Sequence, residues 1–127
     1  MKYACLLLMI FLSITSKGQT KKALKTKEDK IVDMVASLPD VVKADAYCKK
    51  VSHGKRHLVT YVTDSPSPGK GIYYCLSVAE DNGSNYVTWY NFKVDAKTYE
   101  IKYADPETGR EIPLAVWRKK KNYLGLK

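Results

Sequence analysis

Two histidines, His53 and His57, stand four residues apart. On one face of a helix that spacing could hold a metal ion. Here Gly54 lies between them in a turn-forming stretch, Ser52-His53-Gly54-Lys55. No third ligand follows at a matching interval, so the sequence predicts exposed loop histidines and no metal. A cysteine nucleophile would need Cys48 or Cys75 as a free thiol beside a base. The serines lack a Gly-x-Ser-x-Gly elbow. Glu80 and Asp81 are adjacent carboxylates, but Asn82-Gly83 follows them directly, which predicts loop shaping rather than acid–base work. Lys119, Lys120 and Lys121 follow Trp117 and could meet a phosphate, yet no Gly-rich phosphate loop accompanies them. The expectation is a chain that is not an enzyme and holds no cofactor.

The aromatic residues carry more information. The chain has ten Tyr and two Trp. Alternation along residues 72–79 sets Ile72, Tyr74, Leu76 and Val78 on one side, with Tyr73, Cys75, Ser77 and Ala79 on the other. Along residues 86–94 it sets Tyr86, Thr88, Tyr90, Phe92 and Val94 against Val87, Trp89 and Asn91. A helix covering the Leu76/Phe92 side would leave Tyr73, Val87, Trp89 and Asn91 together on the opposite face. Such a patch would suit a protein or a glycan, since Tyr and Trp give large contact area with a polar tip. The competing expectation buries these residues under the C-terminal segment around Trp117. Basic residues among aromatics could also suit single-stranded nucleic acid, but export argues against it.

Export is read from residues 1–18. Lys2 precedes an apolar run over residues 4–14, and small or polar residues follow. That order is the pattern of a cleavable signal peptide, too short for a transmembrane span of about 20 residues. The expected location is the periplasm or the exterior. About 109 of the 127 residues remain, enough for one domain with a small core. The formal net charge is +9, of which only Lys2 and Lys17 fall within the signal. A basic surface favours an acidic protein, an anionic glycan or a lipid headgroup. Cys48 and Cys75 form an even pair after the signal, which in an exported domain favours a disulfide stabilising by ~3–4 kcal/mol. Two buried free thiols are the alternative.

The elements that must position these groups follow from local signals. Residues 19–26 read as a flexible basic lead-in to a single domain over residues 27–117. Thr26-Lys-Glu-Asp29 is a capping box in acidic form, and Ile31, Met34, Val35 and Leu38 make an apolar stripe, so a helix starts at Thr26 and Pro39 ends it. Residues 41–51 fit both periods; the turn formers after them favour a strand over a helix. Strands are predicted over residues 58–63, 72–79, 86–94 and 98–103. They are separated by the Pro/Gly loop of residues 64–71, the Asn82-Gly83 hairpin and a turn at residues 95–97. Residues 105–109 form another turn. Residues 112–117 fit an edge strand or a short helix, and residues 118–127 a frayed basic tail. The sum is an α+β domain: an N-terminal helix packed on a four- to five-stranded antiparallel sheet.

The order of helix, Leu38-Pro39-Asp40-Val41, and a meander with Tyr73-Tyr74, Glu80-Asp-Asn-Gly83 and Phe92-Lys-Val-Asp95 resembles small exported cystatin-like or PepSY-like bacterial domains. Val94-Asp-Ala-Lys-Thr-Tyr-Glu-Ile101 is similar to the strand–turn–strand that ends a PepSY unit. The resemblance implies an inhibitory or partner-binding role, such as blocking a peptidase or a lytic enzyme, or neutralising a toxin as an immunity protein. It transfers no individual site residue. The alternative expectation is a small-molecule, lipid or glycan binding protein of the cell envelope.

Overall fold

The computed structural model describes residues 23–123. The expected signal peptide, the first part of the lead-in and the last four residues of the expected tail lie outside the described residues. Helix α1 (Lys27–Ala36) begins at the anticipated capping box: the Thr26 hydroxyl accepts from the Asp29 N–H at 3.1 Å, and the Asp29 carboxylate accepts from the Thr26 N–H at 2.9 Å. Ile31 and Val35, four apart, are its buried residues.

Residues 41–51 are helical, correcting the expected strand. Helix α2 (Pro39–Val51) uses Pro39 as its first residue, where the missing N–H costs nothing and the fixed φ is already helical. The same proline therefore ends α1 and opens α2. Val41, Ala44 and Cys48 make the buried stripe, whereas Val42 and Ala46 of the rival alternation are exposed. Ser52-His53-Gly54-Lys55 is not a hairpin turn but the end of this helix. His53 and Gly54 both take positive φ, and the Gly54 N–H reaches back to the Lys49 carbonyl at 2.8 Å.

Five strands follow: β1 (His57–Asp64), β2 (Tyr73–Asp81), β3 (Tyr86–Asp95), β4 (Ile101–Ala104) and β5 (Glu111–Pro113). They form one antiparallel meander in sequence order. Helix α3 (Leu114–Tyr123) follows directly, so the expected edge strand or short helix is both in succession, and the first residues of the expected frayed tail are helical. All three helices share one sheet face. Ile31, Val35 and Val41 meet Leu76, Val78, Phe92 and Val94 there, with Trp117 closing the cluster. The Asp45 carboxylate of α2 accepts from the Leu58 N–H at 2.8 Å, which occupies a donor on the sheet's outer strand.

Two turns share a nearly identical bond pattern. In Asp95-Ala-Lys-Thr-Tyr-Glu100, the Tyr99 N–H donates to the Asp95 carbonyl at 3.0 Å and the Asp95 N–H to the Glu100 carbonyl at 3.0 Å. In Asp105-Pro-Glu-Thr-Gly-Arg110, Gly109 donates to Asp105 at 2.8 Å and Asp105 to Arg110 at 2.9 Å. Each leading carboxylate accepts from within its own turn, which holds both acids below the usual carboxylate range: through the Thr98 and Lys97 N–H groups for Asp95, and through the Thr108 hydroxyl and the Glu107 N–H for Asp105. The fifth position is left-handed in both, with φ of 67° at Gly109 and 60° at Tyr99. That conformation costs a residue with a side chain about 1–2 kcal/mol.

Candidate functional site

A β-bulge decides which side chains share a face. Val78 pairs with Tyr90, but Ala79 pairs with Thr88, which leaves Trp89 as the extra residue of β3. Alternation is reversed on the N-terminal side of the bulge. Thr88 now shares a face with Ser77, their hydroxyls 3.3 Å apart, and Tyr86 meets Tyr61 with ring centroids at 5.8 Å. Val87 stands opposite Glu80, on the helix-bearing face. The expected patch is therefore split. Tyr73 and Asn91 occupy the face without helices, where Tyr73 lies between the Lys93 and Lys102 ammonium groups at 5.9 and 5.7 Å. Val87 and Trp89 belong to the other side.

Trp89 lines a cleft of about 880 Å³ between α2 and α3. Tyr90 of β3 and Tyr103 of β4 contribute its floor, Lys43 and Tyr47 one wall, Trp117 and Lys120 the other, and the Asp105 turn one end. The floor is a packed aromatic assembly. Tyr103 stacks on Trp117 at 4.8 Å, and Tyr90 meets Trp117 edge-on at 5.4 Å. Burial raises the Tyr103 hydroxyl above its ordinary pKa, aided by the Asp105 carboxylate. Lys121 lies over the rings of Trp117 and Tyr90 at 5.0 and 5.3 Å.

The walls are tied by charge. Arg118 Nε of α3 donates to Asp40 Oδ2 of α2 at 2.8 Å, its Nη2 stands 2.7 Å from the same oxygen, and Lys121 approaches the carboxylate at 3.7 Å. Asp40 is thus committed to α3 and Asp105 to its own turn. Lys43 and Lys120 make no ion pair among the described residues. The cleft offers flat aromatic surface and two unpaired ammonium groups, against one lining carboxylate unpaired among the described residues, Glu107. Among the described residues, its lining includes no Ser, Thr, Cys or His.

The remaining candidates fall elsewhere. His53 and His57 are exposed at the end of α2 and the start of β1, and no group of three metal-ligating side chains occurs among the described residues. His57 Nε2 stands 3.9 Å from Asp81. Asp81 shapes the loop as anticipated, accepting from the Gly83 N–H at 2.9 Å. Glu80 does not; it is buried on the helix side against Arg56 at 2.7 Å. No described helix is long and apolar enough to cross a membrane.

The expected Cys48–Cys75 disulfide is corrected: both thiols are free. Cys48 sits in α2 beside Glu80, on the helix-bearing face. Cys75 is five residues from Glu80 along β2, roughly 16 Å, and its side chain takes the opposite face with Lys93 and Asp64. No disulfide spans that separation. Burial raises both thiols above their ordinary pKa. Iodoacetamide should therefore label half-buried Cys75 slowly in the native protein and Cys48, 1 % exposed, only after unfolding. Peptide mass spectrometry without reductant checks this; an unlabelled, cross-linked pair of peptides would contradict it.

Compared with known proteins, the chain matches no family model, no curated protein and no solved structure.

Proposed function

We propose that the chain is an exported, non-enzymatic binding module that captures an acidic protein through the α2–α3 cleft and inhibits or neutralises it. The observation that carries this reading is Trp89. The bulge turns it from the side on which simple alternation would place it to the mouth of an aromatic cleft. Large rigid aromatics at the centre of a contact, with a polar rim, are the usual anchors of protein recognition. Lys43 and Lys120 supply the charge that an acidic partner would meet. The cystatin-like or PepSY-like order of helix and meander supports the same role, including that of an immunity protein, since such domains bind partners rather than transform substrates.

Both tryptophans of the chain line the cleft, so intrinsic fluorescence reads its occupancy directly. The test begins with affinity capture from envelope proteins, followed by fluorescence titration of the captured partner. Trp89→Ala is expected to weaken binding by about 30-fold, the scale of a central anchor. Asn91→Ala, on the other face, should change it by less than about threefold. Unchanged affinity in Trp89→Ala would dismiss the cleft, and a loss confined to Tyr73→Ala would move the site to the face without helices. A second reading, a small-molecule, lipid or glycan ligand, is favoured by the cleft volume, which lies in the range of small-ligand sites. Capture of no protein, together with a thermal shift on adding an oligosaccharide or a lipid, would select it.

A further inference from the structure

Tyr99 stands where its own chain shows that glycine suffices. The turns led by Asp95 and Asp105 match almost bond for bond, down to a threonine hydroxyl accepting from the residue two places later, at 3.3 Å in one and 3.4 Å in the other. The second turn places Gly109 in the left-handed position; the first places a tyrosine there at φ 60°. A tyrosine in that conformation works against folding. Its packing return is small. The residue remains 43 % exposed, and its charged contact is Lys27, itself exposed, at 5.7 Å. Unlike His53, which ends a helix, Tyr99 has a strain that its packing does not repay, which marks it for a contact outside the molecule.

We infer that Tyr99 anchors a second interaction surface, at the opposite end of β4 from the cleft, that receives an acidic protein segment. The neighbourhood sets the chemistry. The Ala96 N–H of this turn bonds the Ile72 carbonyl at 2.9 Å, which brings the half-exposed Ile72 alongside. Tyr73 faces Asp95 across the β2–β3 ladder and carries the Lys102 ammonium group. Lys27, Lys97 and Lys102 make no ion pair among the described residues; Glu28 and Glu100 are exposed carboxylates beside them in sequence, Glu28 accepting from the Ser65 hydroxyl at 3.3 Å. Tyr99 beneath Lys27, and Tyr73 beneath Lys93 and Lys102, pair aromatic rings with ammonium groups, which complements carboxylates interspersed with aromatics. A second copy of this chain, carrying the same positive charge, is disfavoured. The inference shares its partner class with the function proposed above but rests on a different site.

The test uses the purified protein and a random copolymer of glutamate and tyrosine as the acidic probe, with affinity read by fluorescence anisotropy and stability by thermal melting. Tyr99→Asn keeps the net charge and places a residue tolerant of the left-handed region. It is expected to raise the melting temperature by about 2–4 °C and to weaken probe binding by about tenfold. Gly109→Ala calibrates the strain. Its added Cβ would meet nothing within 4 Å, so a fall in melting temperature reports the backbone alone. A lower melting temperature for Tyr99→Asn would make Tyr99 a structural residue and overturn the inference. So would probe affinity unchanged in Tyr99→Asn, or Gly109→Ala melting as the wild type does. Trp89→Ala separates the two sites: if it alone abolishes probe binding, the cleft stands and the Tyr99 surface falls.

Discussion

Trp117→Ala is expected to lose about 3–5 kcal/mol of folding stability, the range for removing a large buried aromatic. Trp117 is 7 % exposed and touches three rings at once: it stacks on Tyr103 and meets Tyr90 and Phe92 edge-on. Alanine would leave a void under α3 that neither strand can fill, because β3 and β4 are held in register by their ladder. A domain of this size has total stability of about 5–15 kcal/mol, so a loss at the upper end approaches unfolding. The check is urea denaturation followed by circular dichroism. Trp117→Phe should retain more than half of the difference, since it keeps ring contacts. Lys119→Ala, exposed on the same helix, should shift the midpoint by less than about 0.5 kcal/mol. A Trp117→Ala loss below about 1 kcal/mol would mean that α3 adds nothing to the core.

That helix also shows where sequence reading stops. Trp117-Arg-Lys-Lys-Lys121 reads as one anchor followed by a solvated tail, because composition registers the lysines and not their destinations. In the fold, Arg118 reaches Asp40, 78 residues earlier, and Lys121 lies on two aromatic rings. Long-range pairs of this kind leave no local period. Helix α1 was legible because its cap and stripe are local, as was the Asn82-Gly83 hairpin, where Gly83 has φ 86°. Helix α2 was not, since Ala and Val satisfy both periods over residues 41–51 and Pro39 serves as a stop and a start. The split of Tyr73 and Asn91 from Val87 and Trp89 was not legible, for a smaller reason. A single inserted residue at Trp89 shifts β3 by one place and moves Val87 and Trp89 across the sheet. The disulfide failed because an even cysteine count says nothing about which face of a strand each thiol takes.

Arg56→Ala is expected to cost about 2 kcal/mol, and the reason lies in what it leaves behind. Glu80 is 7 % exposed, and its Oε1 accepts from Arg56 Nη1 at 2.7 Å. Removing the guanidinium strands a buried carboxylate. The full penalty for breaking a buried pair is about 3–5 kcal/mol. The lower figure applies here because the Arg56 side chain is 41 % exposed and water already screens part of the attraction. Two other contacts share this corner: the Arg56 N–H donates to Ser52 Oγ at 2.9 Å, and Cys48 lies beside the same carboxylate. The backbone bond survives the substitution, so the loss isolates the charge. Glu80→Gln made on top of Arg56→Ala removes the stranded charge and should recover about half of the deficit. Chemical denaturation of the two single variants and the double variant closes the cycle. If Arg56→Ala proves as stable as the wild type, the carboxylate reaches water at the end of β2 and the pair is a surface one. If the double variant instead stays as unstable as Arg56→Ala, the ion pair is what seats the last turn of α2 against the sheet. The wall of the cleft that carries Lys43 and Tyr47 would then depend on a contact remote from the cleft itself.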